Sequence, residues 1–239
     1  MKKLNALYVS LVALVLAVVA LVMNIVCCAS SKSKVESALM AKPQMIISAM
    51  QAYEEQQREE ALKKAEENVK ANAEELYNRE GDGVMGNPDG KIVLVEFFDY
   101  SCGFCGRIYP VLKQIIANNP DLKVVAKPMA FLSPASKIAA EASLAAVEQG
   151  KFAEVYSALF ETEGRLDEAK VYAAAEKAGV DLEKLKADMK SEKVQKTMSA
   201  VSELAGKIQV TGVPTLVLNN KILQTLDAGV IQEAIDAAK

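Results

Sequence analysis

The spacing of apolar and polar positions changes from one part of this chain to the next, and each pattern predicts an element. After Met1-Lys2-Lys3, an almost uninterrupted apolar run extends from Leu4 to Cys28. At about 1.5 Å per residue a helix of that length crosses a hydrocarbon core, so residues 1–30 read as an export signal or membrane anchor. A cleaved signal would carry a shorter apolar core and a small-x-small cleavage site, which Cys27-Cys28-Ala29 matches weakly; an uncleaved anchor is favoured. Lys2 and Lys3 would then stay in the cytoplasm, although Lys32 and Lys34 on the other side weaken the asymmetry.

Residues 31–82 form the next unit. From Val35 to about Glu80 the chain is rich in Ala, Glu, Lys, Gln and Met, with Pro43 the one breaker, which predicts long helices arranged as a stalk. Leu62, Val69 and Leu76 recur every seventh residue with Ala65 and Ala73 between them, a narrow seam suited to a partner helix. Ile46, Met50 and Tyr53 make an earlier seam, separated from the first by the polar run Glu54-Glu55-Gln56-Gln57-Arg58-Glu59-Glu60. The stalk is thus a candidate for homo-oligomerisation, or else a solvated spacer that docks on its own globular part.

A turn-rich boundary follows, Gly81-Asp82-Gly83 and Gly86-Asn87-Pro88-Asp89-Gly90. Beyond it, within residues 83–239, Lys91 to Tyr100 reads as a buried strand. Ile108, Val111, Leu112, Ile115 and Ile116 supply the apolar face of a helix that Asn118-Asn119-Pro120 ends. Leu122 to Lys127 is a second strand, and Ala-rich helical segments occupy about 133–206. Ile208 to Leu218 returns to strand character, Asn219-Asn220 is a hairpin turn, and a last helix lies near Ala228–Ala238. The order βαβ, helices, ββα specifies an α/β sheet domain interrupted by a helical insertion.

Composition narrows the chemistry. The net charge of −3 over 239 residues gives no basic footprint for nucleic acid. Histidine is absent, which removes imidazole bases and His-ligated metal sites and leaves Cys, Lys, Asp, Glu or Tyr for any nucleophilic catalysis. The four cysteines fall into two pairs, Cys27/Cys28 and Cys102/Cys105. Val26 before Cys27 is not the small residue of a bacterial lipoprotein signal, so the first pair reads as small apolar residues at a membrane boundary.

Cys102-Gly103-Phe104-Cys105 has redox spacing and falls at a predicted helix N-terminus. There the unpaired N–H groups and helix dipole would favour a thiolate. Cys102 is then the nucleophile and Cys105, one helical turn on and less exposed, the resolving thiol. Half of a zinc site is the competing reading, but it needs a second ligand pair that the exported part lacks.

The stretch Phe97-Phe98-Asp99-Tyr100-Ser101-Cys102-Gly103-Phe104-Cys105, with Thr211-Gly212-Val213-Pro214-Thr215, resembles the DsbA-like family of exported thioredoxin-fold proteins from about Gly86 to Lys239. The resemblance implies a thioredoxin-like fold with an inserted helical domain and a thiol-disulfide oxidoreductase whose one redox group is the Cys102–Cys105 disulfide, with no dissociable cofactor and no metal. It implies a cis Pro214 facing that disulfide, although an X-Pro bond alone favours trans and a proline here also fits a strand start. Val213 would bond an extended substrate strand, with Gly103, Phe104 and Thr215 beside it. Glu96 matches the buried acid beneath the disulfide and would relay a proton to Cys105, unless it lies exposed at a strand end. Gly103-Phe104 differs from the Pro-His of strongly oxidising DsbA proteins and is closer to the Gly-Tyr of DsbC isomerases, whereas Val213 is the DsbA residue; the stalk is similar to that of oligomeric DsbA-like isomerases.

The expected partners are exported proteins with cysteines, a membrane redox protein, and the membrane itself through the N-terminal segment. The expected location is the periplasmic face of a bacterial membrane, or the periplasm if the segment is cleaved. The rival reading is a non-enzymatic surface binding or holdase protein on the same fold, using Met129, Phe131 and Leu132 as apolar contacts, although Met and Phe there are more often core.

Overall fold

A computed structural model describes residues 13–23 and 35–239. Residues 13–23 and 35–41 are helical, and among the described residues no helix is long and apolar enough to cross a membrane. Most of the expected anchor from Leu4 to Cys28, with both Cys27 and Cys28, lies outside the described residues.

The chain divides into two compact units, one up to Glu60 and one from Ala61 to Lys239. Helix α1 (Gln44–Ala71) runs through the division. In the first unit its apolar positions Ile46, Met50 and Tyr53 are exposed. In the second, Ala65 and Val69 are buried, as is Leu76 of the short helix α2 (Ala73–Tyr77). Residues 61–82, expected to be the distal stalk, therefore pack on the domain. Val69 and Leu76 of their seven-residue seam meet Val95, Phe97, Val125, Val201, Leu204 and Val217 in a cluster on one side of the sheet, so these two positions face this chain's own strands and a helix of its own rather than a partner helix.

The sheet has five strands in the order β1-β3-β2-β4-β5. They are β1 (Gly83–Gly86), β2 (Ile92–Phe98), β3 (Leu122–Pro128), β4 (Thr215–Leu218) and β5 (Lys221–Leu223). β2 and β3 pair in parallel, joined by helix α3 (Gly103–Asn118) as the crossover, and the other pairs are antiparallel. Asn219 and Asn220, with φ of 50° and 62°, make the two-residue turn that joins β4 to β5.

Two strand expectations need correction. β1 lies in the boundary that reads as turn, because glycine is a local breaker by propensity. Here glycine permits close approach: a Cβ on Gly83 would overlap the Phe152 ring at 2.1 Å, and one on Gly86, at φ +75°, would lie 2.5 Å from the Leu122 carbonyl oxygen. The strand expected from Ile208 starts only at Thr215. Ile208 is buried as the C-cap of the preceding helix, Gln209 takes φ 59°, and the Val210 N–H donates to the Ala205 carbonyl at 2.8 Å. That closure is a Schellman motif, whose apolar flanks imitate a strand in sequence.

The insertion comprises α4 (Pro134–Ala145), a 3-10 turn (Ala146–Gln149), α5 (Phe152–Phe160), α6 (Glu168–Lys177), α7 (Leu182–Met189) and α8 (Glu192–Lys207). Side chains of Ser133, Asp167, Asp181 and Ser191 cap four of these helices by accepting first-turn N–H groups. Helix α9 (Ala228–Asp236) closes the chain. With α3 and α9, the insertion covers the second face of the sheet, where Leu94, Phe98, Val124, Ala126, Leu216 and Leu218 sit, while Val201 and Leu204 of α8 pack on the first.

Candidate active site

The site forms where β2 ends and α3 begins. The backbone turns after Phe98, the Cys102 N–H donates to the Asp99 carbonyl at 2.9 Å, and the Cys102 carbonyl accepts from Gly106 at 3.0 Å. Cys102 is thus the N-cap residue of α3, with extended φ −82° and ψ 119°, half-buried, while Cys105 one turn on is fully buried. Both are free thiols. β4 lies beside β2 and brings the preceding loop against this helix end. There the Cys102 thiol donates to the Val213 carbonyl at 3.4 Å. The Val213–Pro214 bond is cis, and the Thr215 hydroxyl donates to the Gly212 carbonyl at 2.7 Å.

Glu96 is buried rather than exposed at a strand end. It faces the insertion side, because successive strand residues alternate faces and its neighbours Val95 and Phe97 belong to the opposite cluster. The Tyr156 hydroxyl from α5 donates to Glu96 Oε2 at 2.8 Å, and among the described residues Oε1 has no partner. Burial pushes the Glu96 carboxyl up to about 8, the Tyr156 hydrogen bond opposing the shift. Burial likewise pushes the Cys105 thiol up; a backbone hydrogen bond from Asp99 opposes this, and Cys102 and the Glu96 charge add to it. Cys105 therefore needs a base to become a nucleophile, and the Glu96 carboxyl, raised by its burial, is the acidic group whose charge acts on it. Among the described residues no group of three or more Cys, Asp or Glu side chains is placed to hold a metal ion.

The sequence of residues 93–235 matches the DSBA-like thioredoxin domain family. The chain belongs to that family. A thioredoxin-like oxidoreductase from Silicibacter pomeroyi DSS-3 is 31% identical, with a TM-score of 0.66 over 69% of this chain and 96% of that one. The catalytic domain of Proteus mirabilis ScsC is 26% identical, with a TM-score of 0.65 over 73% of this chain and 99% of that one. The Na(+)/H(+) antiporter NhaA 1 of Mycolicibacterium gilvum (strain PYR-GCK) is 35% identical over 147 residues, 59% of this chain and 24% of the antiporter. The chain spans about a quarter of the length of that curated relative. DsbA-like proteins are in general thiol-disulfide oxidoreductases.

Sequence reasoning missed the polar knot that shapes this DsbA-like active-site loop. Asp99 is fully buried; its Oδ1 accepts from the Ser101 N–H at 2.8 Å and the Ser136 hydroxyl at 2.6 Å. Its Oδ2 accepts from the N–H groups of Phe131 and Leu132, both at 3.2 Å. One carboxylate thus ties the residues before Cys102 to the loop after β3. An aspartate directly after an apolar strand and three residues before the helix N-cap Cys102 is an Asx-turn signal that could have found it.

Around the DsbA-like dithiol several large apolar side chains stand exposed among polar ones. Phe104, Phe131 and Leu132 are exposed, and the Arg107 guanidinium lies over the Phe104 ring at 4.1 Å from its centroid. Met129 instead packs, partly buried, against the cluster under α1 and α2. Between α3 and the insertion a cleft of about 510 Å³ opens beside Cys102, lined among others by Ser101, Leu132, Phe160 and Arg165.

Proposed function

We propose that this protein exchanges disulfides in exported proteins, forming, isomerising or reducing them through Cys102 and Cys105. The observation that carries this reading is the pairing of a half-buried Cys102 thiol, 3.4 Å from the Val213 carbonyl, with a buried Cys105 that shares its surroundings with an acid. Cys102 attacks a substrate disulfide and forms a mixed disulfide, releasing one substrate thiolate. Cys105 then attacks the Cys102 sulfur, the bond from Cys102 to the substrate breaks, and Glu96 takes the Cys105 proton. Oxidation of a substrate dithiol runs the same steps in reverse.

Pro214, Val213 and Thr215 are assigned to hold an extended substrate chain, and the exposed Gly103 and Phe104 to meet it from α3. The redox group is the Cys102–Cys105 disulfide itself, without a dissociable cofactor. The partners are exported proteins with cysteines and a membrane redox protein, met at the periplasmic face of a bacterial membrane. A second copy is a further partner, supported by the exposed Ile46, Met50 and Tyr53.

The test is the equilibrium reduction potential of the couple, read in glutathione buffers on the full chain in detergent. About −120 mV assigns an oxidase, and roughly −200 mV or below an isomerase or reductase. Without His between the cysteines, the second outcome is expected. Absence of exchange with glutathione overturns the enzymatic reading.

A further inference from the structure

We propose that Tyr156, carried by the helical insertion, is a positioning residue for the exchange reaction: its hydroxyl holds Glu96 Oε2 and leaves Oε1 to take and return the Cys105 proton. The proposal rests on Cys102 and Cys105 being a redox pair, and it gives the insertion a part in their chemistry as well as in packing.

The arrangement around Glu96 leaves Tyr156 without a competitor. The cross-strand neighbours of Glu96 are Ala126 on β3 and Leu216 on β4, and neither can bond or charge it. The titratable groups that face it are Tyr100 from the end of its own strand, Cys105 from α3 with Cys102 beyond, and Tyr156 from α5. Of these, Tyr156 alone among the described residues makes a hydrogen bond to the carboxyl, at 2.8 Å. The nearest buried cation in sequence, Lys127, is on the next strand but pairs with Asp82.

Tyr156 is also rigidly placed. Its ring centroid lies 5.1 Å from that of Phe98, 4.9 Å from Phe160 and 5.9 Å from Tyr109, edge-on or tilted contacts from three elements that fix the direction of the hydroxyl. The bond to Oε2 restricts rotation of the carboxyl and leaves Oε1 without a partner among the described residues. The hydroxyl donates, so it favours the ionised form of Glu96, which is the form that accepts a proton.

In the resolving step the Cys105 proton passes to Glu96 Oε1 and the Cys105 electron pair forms the bond to Cys102 Sγ. The pair of the bond from Cys102 to the substrate leaves with the substrate thiolate. Two electrons pass from the dithiol to the substrate, and the proton on Glu96 later returns to solvent. Tyr156 exchanges no proton in this scheme.

The experiment is the pH dependence of the resolving step, followed on the full chain loaded at Cys102 with glutathione. Tyr156→Phe keeps the ring and removes the donor. The midpoint is expected to rise by about one pH unit, and the rate at pH 7 to fall about tenfold. Introducing 3-fluorotyrosine at position 156 keeps shape and fold while strengthening the donor, and should move the midpoint down. In a Glu96→Gln background the added Tyr156→Phe change should leave the rate as it is. Unchanged midpoints, or further slowing in that background, overturn the proposal. Failure of the wild-type chain to form the glutathione adduct would instead overturn the redox reading beneath it.

Discussion

Two ionisable residues are buried to the same degree on neighbouring strands, yet their surroundings treat them in opposite ways. Glu96 sits opposite Ala126 and the next residue, Phe97, opposite Lys127, so the pleat sends the carboxyl to one face and the ammonium to the other. Lys127 meets a charge: it is hydrogen-bonded to the Asp82 carboxylate and donates to the Glu75 carbonyl at 2.9 Å. Burial pushes Asp82 up and Lys127 down, and each partner opposes the other's shift. Among the described residues Glu96 has a hydrogen bond from the Tyr156 hydroxyl alone and no countercharge. A compensated buried charge fixes structure, here fastening residues 75–82 to the sheet, whereas an uncompensated one stays poised to change its protonation. The difference assigns chemistry to one face and assembly to the other.

The largest test of that division is Cys102→Ser. Turnover of a protein disulfide should vanish, while the unfolding midpoint in urea stays near that of the reduced wild-type chain, because the half-buried thiol gives up one weak bond to the Val213 carbonyl. Retention of function would restore the holdase reading on the exposed Phe104, Phe131 and Leu132. Next in size is Lys127→Met, which strands Asp82 inside the protein. A buried charge that loses its partner costs about 3–5 kcal/mol. Urea unfolding should record that loss while the exchange rate per folded molecule stays within about twofold, as expected of a change confined to the assembly face. A matching loss of exchange would break the division.

How much of this was legible in the sequence follows the same line. The dithiol, the strand before it, the crossover helix, the Asn219-Asn220 turn and the extent of the insertion stood out because spacing, turn chemistry and hydrophobic periodicity agree there. Glu96 could be singled out only by its place six residues before Cys102. Its burial depends on what covers β2, and the residue that covers it, Tyr156, comes from sixty positions later. Asp82 and Lys127 are 45 residues apart, and a lysine in a strand and an aspartate among glycines read as surface. The seam from Leu62 to Leu76 was visible, but periodicity states that a face is apolar without naming what it meets.

Glu96→Gln separates chemistry from stability on the redox face. Removing a general base typically costs about 10²-fold or more, so resolution by Cys105 should slow by that order at pH 7, with mixed disulfides accumulating on Cys102. Stability should respond with a defined sign. The folded carboxyl is raised to about 8 from an ordinary value of 4.5, so between those values the unfolded chain binds fewer protons than the folded one. This group's contribution to stability is therefore present in full below about pH 4.5 and is lost as pH rises through 8. Glutamine does not titrate, so the variant should lack that decline, a difference of a few kcal/mol by pH 8 in denaturant titrations. Parallel curves for the two proteins would place a countercharge at Glu96 and erase the contrast with Lys127.

The smallest expected effect is the most discriminating. If Asp82 and Lys127 serve assembly alone, removing both should matter far less than removing either one. Lys127→Met combined with Asp82→Leu deletes the pair at roughly conserved volume, along with the Asp82 Oδ1 that has no partner among the described residues. The Glu75 carbonyl loses a donor, which costs about 1–3 kcal/mol if water does not replace it. Against this, neither ion has to be desolvated, and buried pairs exchanged for apolar residues are often neutral or stabilising by about 1–4 kcal/mol. The double variant should therefore unfold within about 1 kcal/mol of wild type, well above Lys127→Met alone, and exchange disulfides at the wild-type rate. A double variant as unstable as the single one would mean that the Lys127 bond to the Glu75 carbonyl, and not charge compensation by Asp82, holds that face together.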